Sequence, residues 1–297
     1  MTDQLTFTDP VTRFEAIEPP EQHQPEPGLD AELIPRADIG ATSYRGTGRL
    51  EGRRALVTGA DSGIGAATAL AFAREGADVA LAYLPDEERD ARRVADLVEE
   101  SGRRAVLLPG DLSDGRYCTD LVEQAVTRLG GIDALVNNAG RQIAVTDFAD
   151  VTDEQWKHTF DVNVHAMVRV TRAALPHLGA GSTIVNTTSI QAYDPSDHLM
   201  DYASTKAAIN NFTKNLATQL APRGIRVNAV APGPVWTPLQ VSDGQPREAL
   251  PTFGRGTPLG RAGQPVEIAP AYVFLTSPES SYVVGSTIHV NGGQMSP

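Results

Sequence analysis

Seven short apolar runs, nearly all separated by helical stretches, constrain this chain more than any other feature. The run at 54–58 passes into a glycine-rich turn, and the alanine-rich stretch at 64–75 predicts a helix stopped by Gly76. Further strands are predicted at 79–83, 105–108, 134–137, 182–188, 226–231 and 287–290. These runs are apolar almost throughout and do not alternate, so each strand must be covered on both faces. Helical crossovers between such strands specify a parallel sheet, the doubly wound α/β (Rossmann) architecture, whose ligands bind beyond the carboxyl ends of the strands.

The first 48 residues differ. Segment 1–48 holds six prolines and nine acidic residues and shows no sustained helical or strand period. It is expected to be an extended arm, leaving 49–297 as a single domain with a mobile substrate lid at 239–262, where Gly and Pro concentrate. Leu5, Phe7, Val11, Phe14 and Ile17 are apolar groups that so short a segment cannot bury by itself. They predict that the arm packs across a neighbouring subunit, outside the catalytic centre.

Composition excludes several function classes. A formal charge of −12 disfavours nucleic acid or an anionic membrane surface as partner. Cys118 is the only cysteine, which leaves no intrachain disulfide and no cysteine-rich metal site, and it is expected as a small buried apolar residue. His158 and His165 have no acidic or thiol partner at ligand spacing, so no metal is expected. The first residues lack a secretory profile, and no eighteen apolar residues run together; a cytoplasmic protein is expected. Asp86-Glu87-Glu88 with Arg89, Arg92 and Arg93 predicts a solvated helix start.

The turn after the first strand reads Thr58-Gly59-Ala60-Asp61-Ser62-Gly63-Ile64-Gly65. Gly59 permits the tight turn, Gly63 permits backbone approach to a pyrophosphate, and Gly65 permits close helix packing with the helix N-terminus toward the anion. Its Gly-x-x-x-Gly-x-Gly spacing departs from the common dinucleotide fingerprint. Farther on, Tyr202 and Lys206 stand at i and i+4 of a helix, so phenol and ammonium share a face. A fixed cation beside a phenol favours phenolate, which predicts Tyr202 as an acid/base with its pKa lowered by Lys206. Lysine occurs only at 157, 206 and 214, which makes the pairing less of an accident.

Together with Asn137-Asn138-Ala139-Gly140, Asn163, Ser189 and Pro232-Gly233, these pieces resemble the short-chain dehydrogenases/reductases over residues 50 to 297. The arm and the 201–206 segment are most similar to a bacterial general-stress or aldehyde-reductase-like branch. The resemblance implies that Ser189 bonds the substrate oxygen, that Tyr202 exchanges its proton, and that Lys206 both tunes the phenol and holds the nicotinamide ribose. It further implies that Asn163 holds a water in a proton relay. By the same resemblance, Gly59, Ser62, Gly63, Ile64 and Gly65 meet the cofactor phosphates, while Asp111, Leu112, Asn138, Ala139 and Gly140 meet the adenosine. Pro232, Gly233, Val235 and Thr237 would clamp the carboxamide. A homotetramer is implied as well.

The expected function is therefore NAD(P)-dependent interconversion of an alcohol and an aldehyde or ketone. The alternative is a nucleotide-binding regulator of the same fold without significant catalysis, distinguishable by steady-state turnover on a carbonyl panel. Tyr83 and Leu84 at the second strand's end, and Asp61-Ser62 in the turn, carry neither usual cofactor signature. The nearby acids lean the choice to NAD. Gln191, Tyr193, Trp236 and Tyr282 are expected to line the substrate site.

Overall fold

Runs that are apolar almost throughout become strands here because helices cover both faces of the sheet they form. The computed structural model describes residues 3–15 and 17–294; of the expected arm and domain, residues 1, 2, 16 and 295–297 lie outside the described residues. The strands are β1 (Arg54–Thr58), β2 (Asp78–Tyr83), β3 (Ala105–Pro109), β4 (Ala134–Asn137), β5 (Thr183–Thr187), β6 (Arg226–Pro232) and β7 (Thr287–Val290). They form one parallel sheet in the order β3-β2-β1-β4-β5-β6-β7. No strand boundary departs from its sequence expectation by more than one residue.

The helices are α1 (Gly63–Arg74), α2 (Glu88–Glu100), α3 (Gly115–Leu129), α4 (Asp153–Phe160), α5 (Ala166–Ala174), α6 (Met200–Leu220) and α7 (Pro265–Thr276). Helices α1, α2 and α7 cover one face of the sheet, with Val57, Leu81 and Val136 turned toward them. Helices α3, α5 and α6 cover the other, where Leu56, Ala80, Leu135 and Cys118 are buried. Full burial of each such Leu or Val contributes about 1.5–3 kcal/mol, and strand alternation delivers it to both faces.

Within the chain, much of the arm packs on the domain that follows it. Arg74 donates to the carbonyls of Gly40 and Ala41, each at 2.7 Å. Buried Glu75 accepts from the Tyr44 hydroxyl at 2.8 Å, the amides of Thr47 and Arg49 at 2.9 and 3.0 Å, and the Arg49 guanidinium at 2.6 Å. Asp90 on α2 accepts from the Asp30 amide at 2.7 Å. Ile17, Leu33 and Ala37 form a third core with Trp236, Val241, Leu250 and Ala262. Leu5, Phe7 and Val11 stay exposed, while the Phe14 ring lies 5.6 Å from the Arg261 guanidinium. Buried carboxylates that accept backbone amides hold the arm in place, and such contacts carry no periodic signal in sequence.

The expected lid is also attached to the arm. Val241 O accepts from the Gln24 amide at 3.0 Å, and Asp243 Oδ1 meets His23 Nε2 at 2.9 Å. A 3-10 turn, Arg247–Thr252, gives this stretch structure of its own.

Candidate active site

Strand order reverses between β1 and β4, and there a cleft of about 720 Å³ opens at the carboxyl ends of the strands. Its floor is the glycine turn. Gly59 (φ 61°) has no room for a side chain, since a Cβ would stand 2.9 Å from Ala139 Cα. Gly63 (φ 49°) would place one 2.9 Å from Thr237 Cγ2. At Gly65 a Cβ would meet Gly59 O at 1.8 Å and Asn138 Nδ2 at 2.6 Å, so only glycine lets α1 close on the turn. Ser62 makes no side-chain cap at the N-terminus of α1, leaving its first amides available to an anion. Thr58 Oγ1 accepts from the amides of Asn138 and Ala139 at 3.0 and 3.1 Å, and Asn138 Nδ2 donates to Gly59 O at 3.1 Å. These bonds fix the turn against the end of β4.

The helix α6 brings the chemistry. Lys206 Nζ lies 5.3 Å from the Tyr202 ring centroid and donates to Thr187 O at 3.0 Å. Thr188 Oγ1 donates to Lys206 O at 2.8 Å, holding α6 to the end of β5. Ser189, whose Oγ accepts from the Gln191 amide at 3.2 Å, lines the cleft with Tyr202. Tyr202, Lys206 and Ser189 are all buried and line the cleft. Burial pushes the phenol up to about 12 against the opposing hydrogen bond from Ser189, and burial alone pulls Lys206 down to about 8. Spacing predicted a phenol lowered by Lys206. In this state desolvation outweighs that attraction, because a low-dielectric wall penalises both charged forms.

Asn163 stands behind the cleft, in a π-type widening of the chain at Asp161–His165. Its Oδ1 accepts from the Arg141 amide at 2.7 Å, and its Nδ2 donates to Arg141 O at 2.9 Å and Thr205 Oγ1 at 3.0 Å. It positions the backbone next to Gly140, where a Cβ would stand 3.5 Å from Lys206 Nζ and 3.6 Å from Asn163 Oδ1.

Residues 59–295 match the family model described as enoyl-(acyl carrier protein) reductase. The uncharacterized oxidoreductase YghA of Escherichia coli (strain K12) is 54% identical over 286 residues, covering 96% of this chain and 97% of that protein. General stress protein 39 of Bacillus subtilis (strain 168) is 46% identical, over 93% of this chain and 96% of that protein. A short chain dehydrogenase from Burkholderia cenocepacia J2315, whose structure is in complex with NADP, is similar with a TM-score of 0.76 and 38% identity. The match covers 82% of this chain and 98% of that one. The chain belongs to the short-chain dehydrogenase/reductase family.

Within this short-chain dehydrogenase/reductase, the cleft gathers Gly59, Ser62, Gly63, Ile64, Asp111, Leu112, Asn138, Ala139 and Gly140 along one stretch. It gathers Pro232, Gly233, Val235 and Thr237 along another. Gly65 and Asn163 are not among the cleft's lining residues. Gln191 lines the cleft as expected. Trp236 does not: it is wholly buried and faces the arm, because its indole has a carbonyl partner there. Tyr193 packs edge-on against His289 at 4.7 Å, and Tyr282 is 99% exposed. Neither is among the cleft's lining residues.

Three contributors were missed. Glu26 and Pro27 of the arm line the cleft, with Glu26 paired to Arg141 at 2.9 Å, so the arm takes part in the site. Glu87, read from sequence as part of a solvated helix start, is buried and lines the cleft beside Asp61. Its only sequence signal was an acid three residues after Leu84, the spacing that lets its carboxylate accept the Leu84 amide at 3.0 Å.

Proposed function

We propose that this protein is an NAD(P)-dependent oxidoreductase that interconverts an alcohol and an aldehyde or ketone, with Tyr202 exchanging the proton. The observation that carries this reading is the meeting of Ser189, Tyr202 and Lys206 in one cleft with a glycine cradle that has no room for side chains. The cradle, the uncapped start of α1 and the NADP in the similar Burkholderia structure support a dinucleotide there. Gly59, Ser62, Gly63 and Ile64 would hold its phosphates, with Gly65 permitting the close turn. Asp111, Leu112, Asn138, Ala139 and Gly140 would flank the adenosine half. Pro232, Gly233, Val235 and Thr237 would hold the carboxamide end. When bound, such a cofactor supplies or accepts the hydride.

The chain's own residues do the remainder. Ser189 Oγ and the Tyr202 hydroxyl would point at the substrate oxygen where charge develops, and their burial makes that preorganised pair more effective than it would be in water. Tyr202 gives up or takes the proton, and the Lys206 ammonium, anchored on Thr187 O, stabilises the phenolate that results. Asn163 positions the backbone beside Lys206 and would hold the relay water. The stretch 239–262 would close over the substrate, moving with the arm segment it is bonded to. A homotetrameric, cytoplasmic enzyme belongs to the same reading. No helix among the described residues is long and apolar enough to cross a membrane.

The test is a panel of aldehydes, ketones and alcohols offered to the full chain with each nicotinamide cofactor, following nicotinamide absorbance. Turnover on at least one pair is expected. Tight cofactor binding without turnover on any pair would replace this reading by that of a nucleotide-binding regulator.

A further inference from the structure

We propose that Glu26 of the arm is a positioning residue for Tyr202, acting through the side chains of Arg141, Thr159 and Asp201. The proposal rests on the acid/base reading of Tyr202 above and deepens it.

Tyr202 stands in the first turn of α6, where amides have no partner within the helix and the end frays most easily. Leu199, the residue before the helix, offers no side-chain cap. Asp201 substitutes for one: its Oδ1 accepts from the Tyr202 amide at 2.8 Å. Its Oδ2 accepts from Thr159 Oγ1 at 2.8 Å and Gln155 Nε2 at 3.1 Å, both on α4. The carboxylate is 1% exposed, where leaving a polar group without its partner costs the desolvation of that group. The direction in which the Tyr202 phenol leaves the helix therefore depends on what holds Asp201.

Arg141 orders this arrangement. Its Nη1 donates to Thr159 Oγ1 at 3.1 Å, and a hydroxyl that accepts there turns its single proton toward Asp201. The guanidinium is itself held by few bonds: its Nη2 donates to Glu26 Oε2 at 2.9 Å, while its Nε is buried without a hydrogen-bond partner among the described residues. Loss of Glu26 frees the head of a long side chain that stands in the wall of the cleft. The arm presents Glu26 on a closed turn, in which the Gly28 amide donates to Pro25 O at 2.9 Å and the Gln24 amide fastens the turn to Val241 O. On the other side of Tyr202, Asn163 links the Arg141 backbone to Thr205, whose Oγ1 donates to Tyr202 O at 2.6 Å. Loss of the side-chain relay therefore leaves α6 in place and loosens its first turn.

The experiment compares the full chain of the wild type with Glu26→Ala, Arg141→Met and the double variant, with thermal melts to establish that each is folded. Glu26 is exposed enough for its alanine variant to fold whatever Arg141→Met does. Steady-state turnover on a carbonyl pair that the wild type accepts gives kcat and KM, and hydrogen exchange followed by mass spectrometry reads the amides of 200–206. Glu26→Ala is expected to lower kcat about tenfold with KM changed less than about twofold, since a displacement of about 1 Å costs up to about a hundredfold. The same variant is expected to exchange the 200–206 amides about threefold or more faster, with those of α7 unchanged. The double variant is expected to match Arg141→Met, because Glu26 acts through the guanidinium. Unchanged kcat, an effect confined to KM, unchanged exchange, or a double variant in which the two losses multiply overturns the inference alone. Absence of wild-type turnover on every pair overturns the functional reading, and this inference with it.

Discussion

Trp236 Nε1–H donates to the carbonyl of Pro35 at 2.7 Å, joining residues 201 positions apart. The indole is wholly buried and lies 6.2 Å from the Phe253 ring. Val235 and Thr237, its neighbours in sequence, line the cleft, so the position of the arm and the shape of that part of the cleft are coupled through one side chain.

Trp236→Phe keeps an aromatic ring but leaves Pro35 O without its donor, which should cost about 1–3 kcal/mol. Denaturant melts should show that loss, and cofactor titration should show weaker binding. A variant as stable as the wild type, with unchanged affinity, would mean that the arm and cleft are independent.

Glu75 should govern acid stability. Burial by itself would raise its carboxyl, but hydrogen bonds from Arg49, Thr47 and Tyr44 prevail and hold it at about 2, below its ordinary 4.5. A depressed carboxylate contributes stability that is fully present above its unfolded value and is lost as pH falls through the folded one. The contribution is roughly 3 kcal/mol, disappearing between about pH 4.5 and 2. Glu75→Gln should be less stable at neutral pH and should show a shallower loss across that window in denaturant melts. Parallel pH profiles for the two proteins would refute the assignment.

Tyr202→Phe should bind cofactor nearly as the wild type does while turnover falls by about two to four orders of magnitude. Lys206→Ala should weaken both if, as proposed, its Nζ serves the phenol and the cofactor together. Retention of more than about a tenth of turnover by the phenylalanine variant, on a substrate with a rate-limiting chemical step, contradicts the acid/base role.

Gly65→Ala and Gly140→Ala make a contrasting pair. At Gly65 the added carbon meets backbone at 1.8 Å and must push α1 off the turn, at about 1–3 kcal/mol and with weakened cofactor binding. At Gly140 it finds nothing closer than 3.5 Å, an ordinary contact. Thermal melts should separate the two, and equal melting temperatures would count against the tight turn.

What the sequence by itself determined is the part of this protein written in local pattern. Apolar runs marked the strands to within a residue, the glycine spacing marked the cradle, and Tyr202 with Lys206 marked the helix face, because each depends on residues only a few positions apart. The tertiary structure alone decided the course of the arm, the burial of Trp236 and the meeting of Asp61 with Glu87. Glu75 accepts amides 26 and 28 positions away and Asp90 one 60 away. A carboxylate that will hold a distant backbone amide looks, in sequence, like any solvated acid. Which of the two it becomes depends on what the finished fold brings beside it, since only burial makes the bond worth more than the water it displaces.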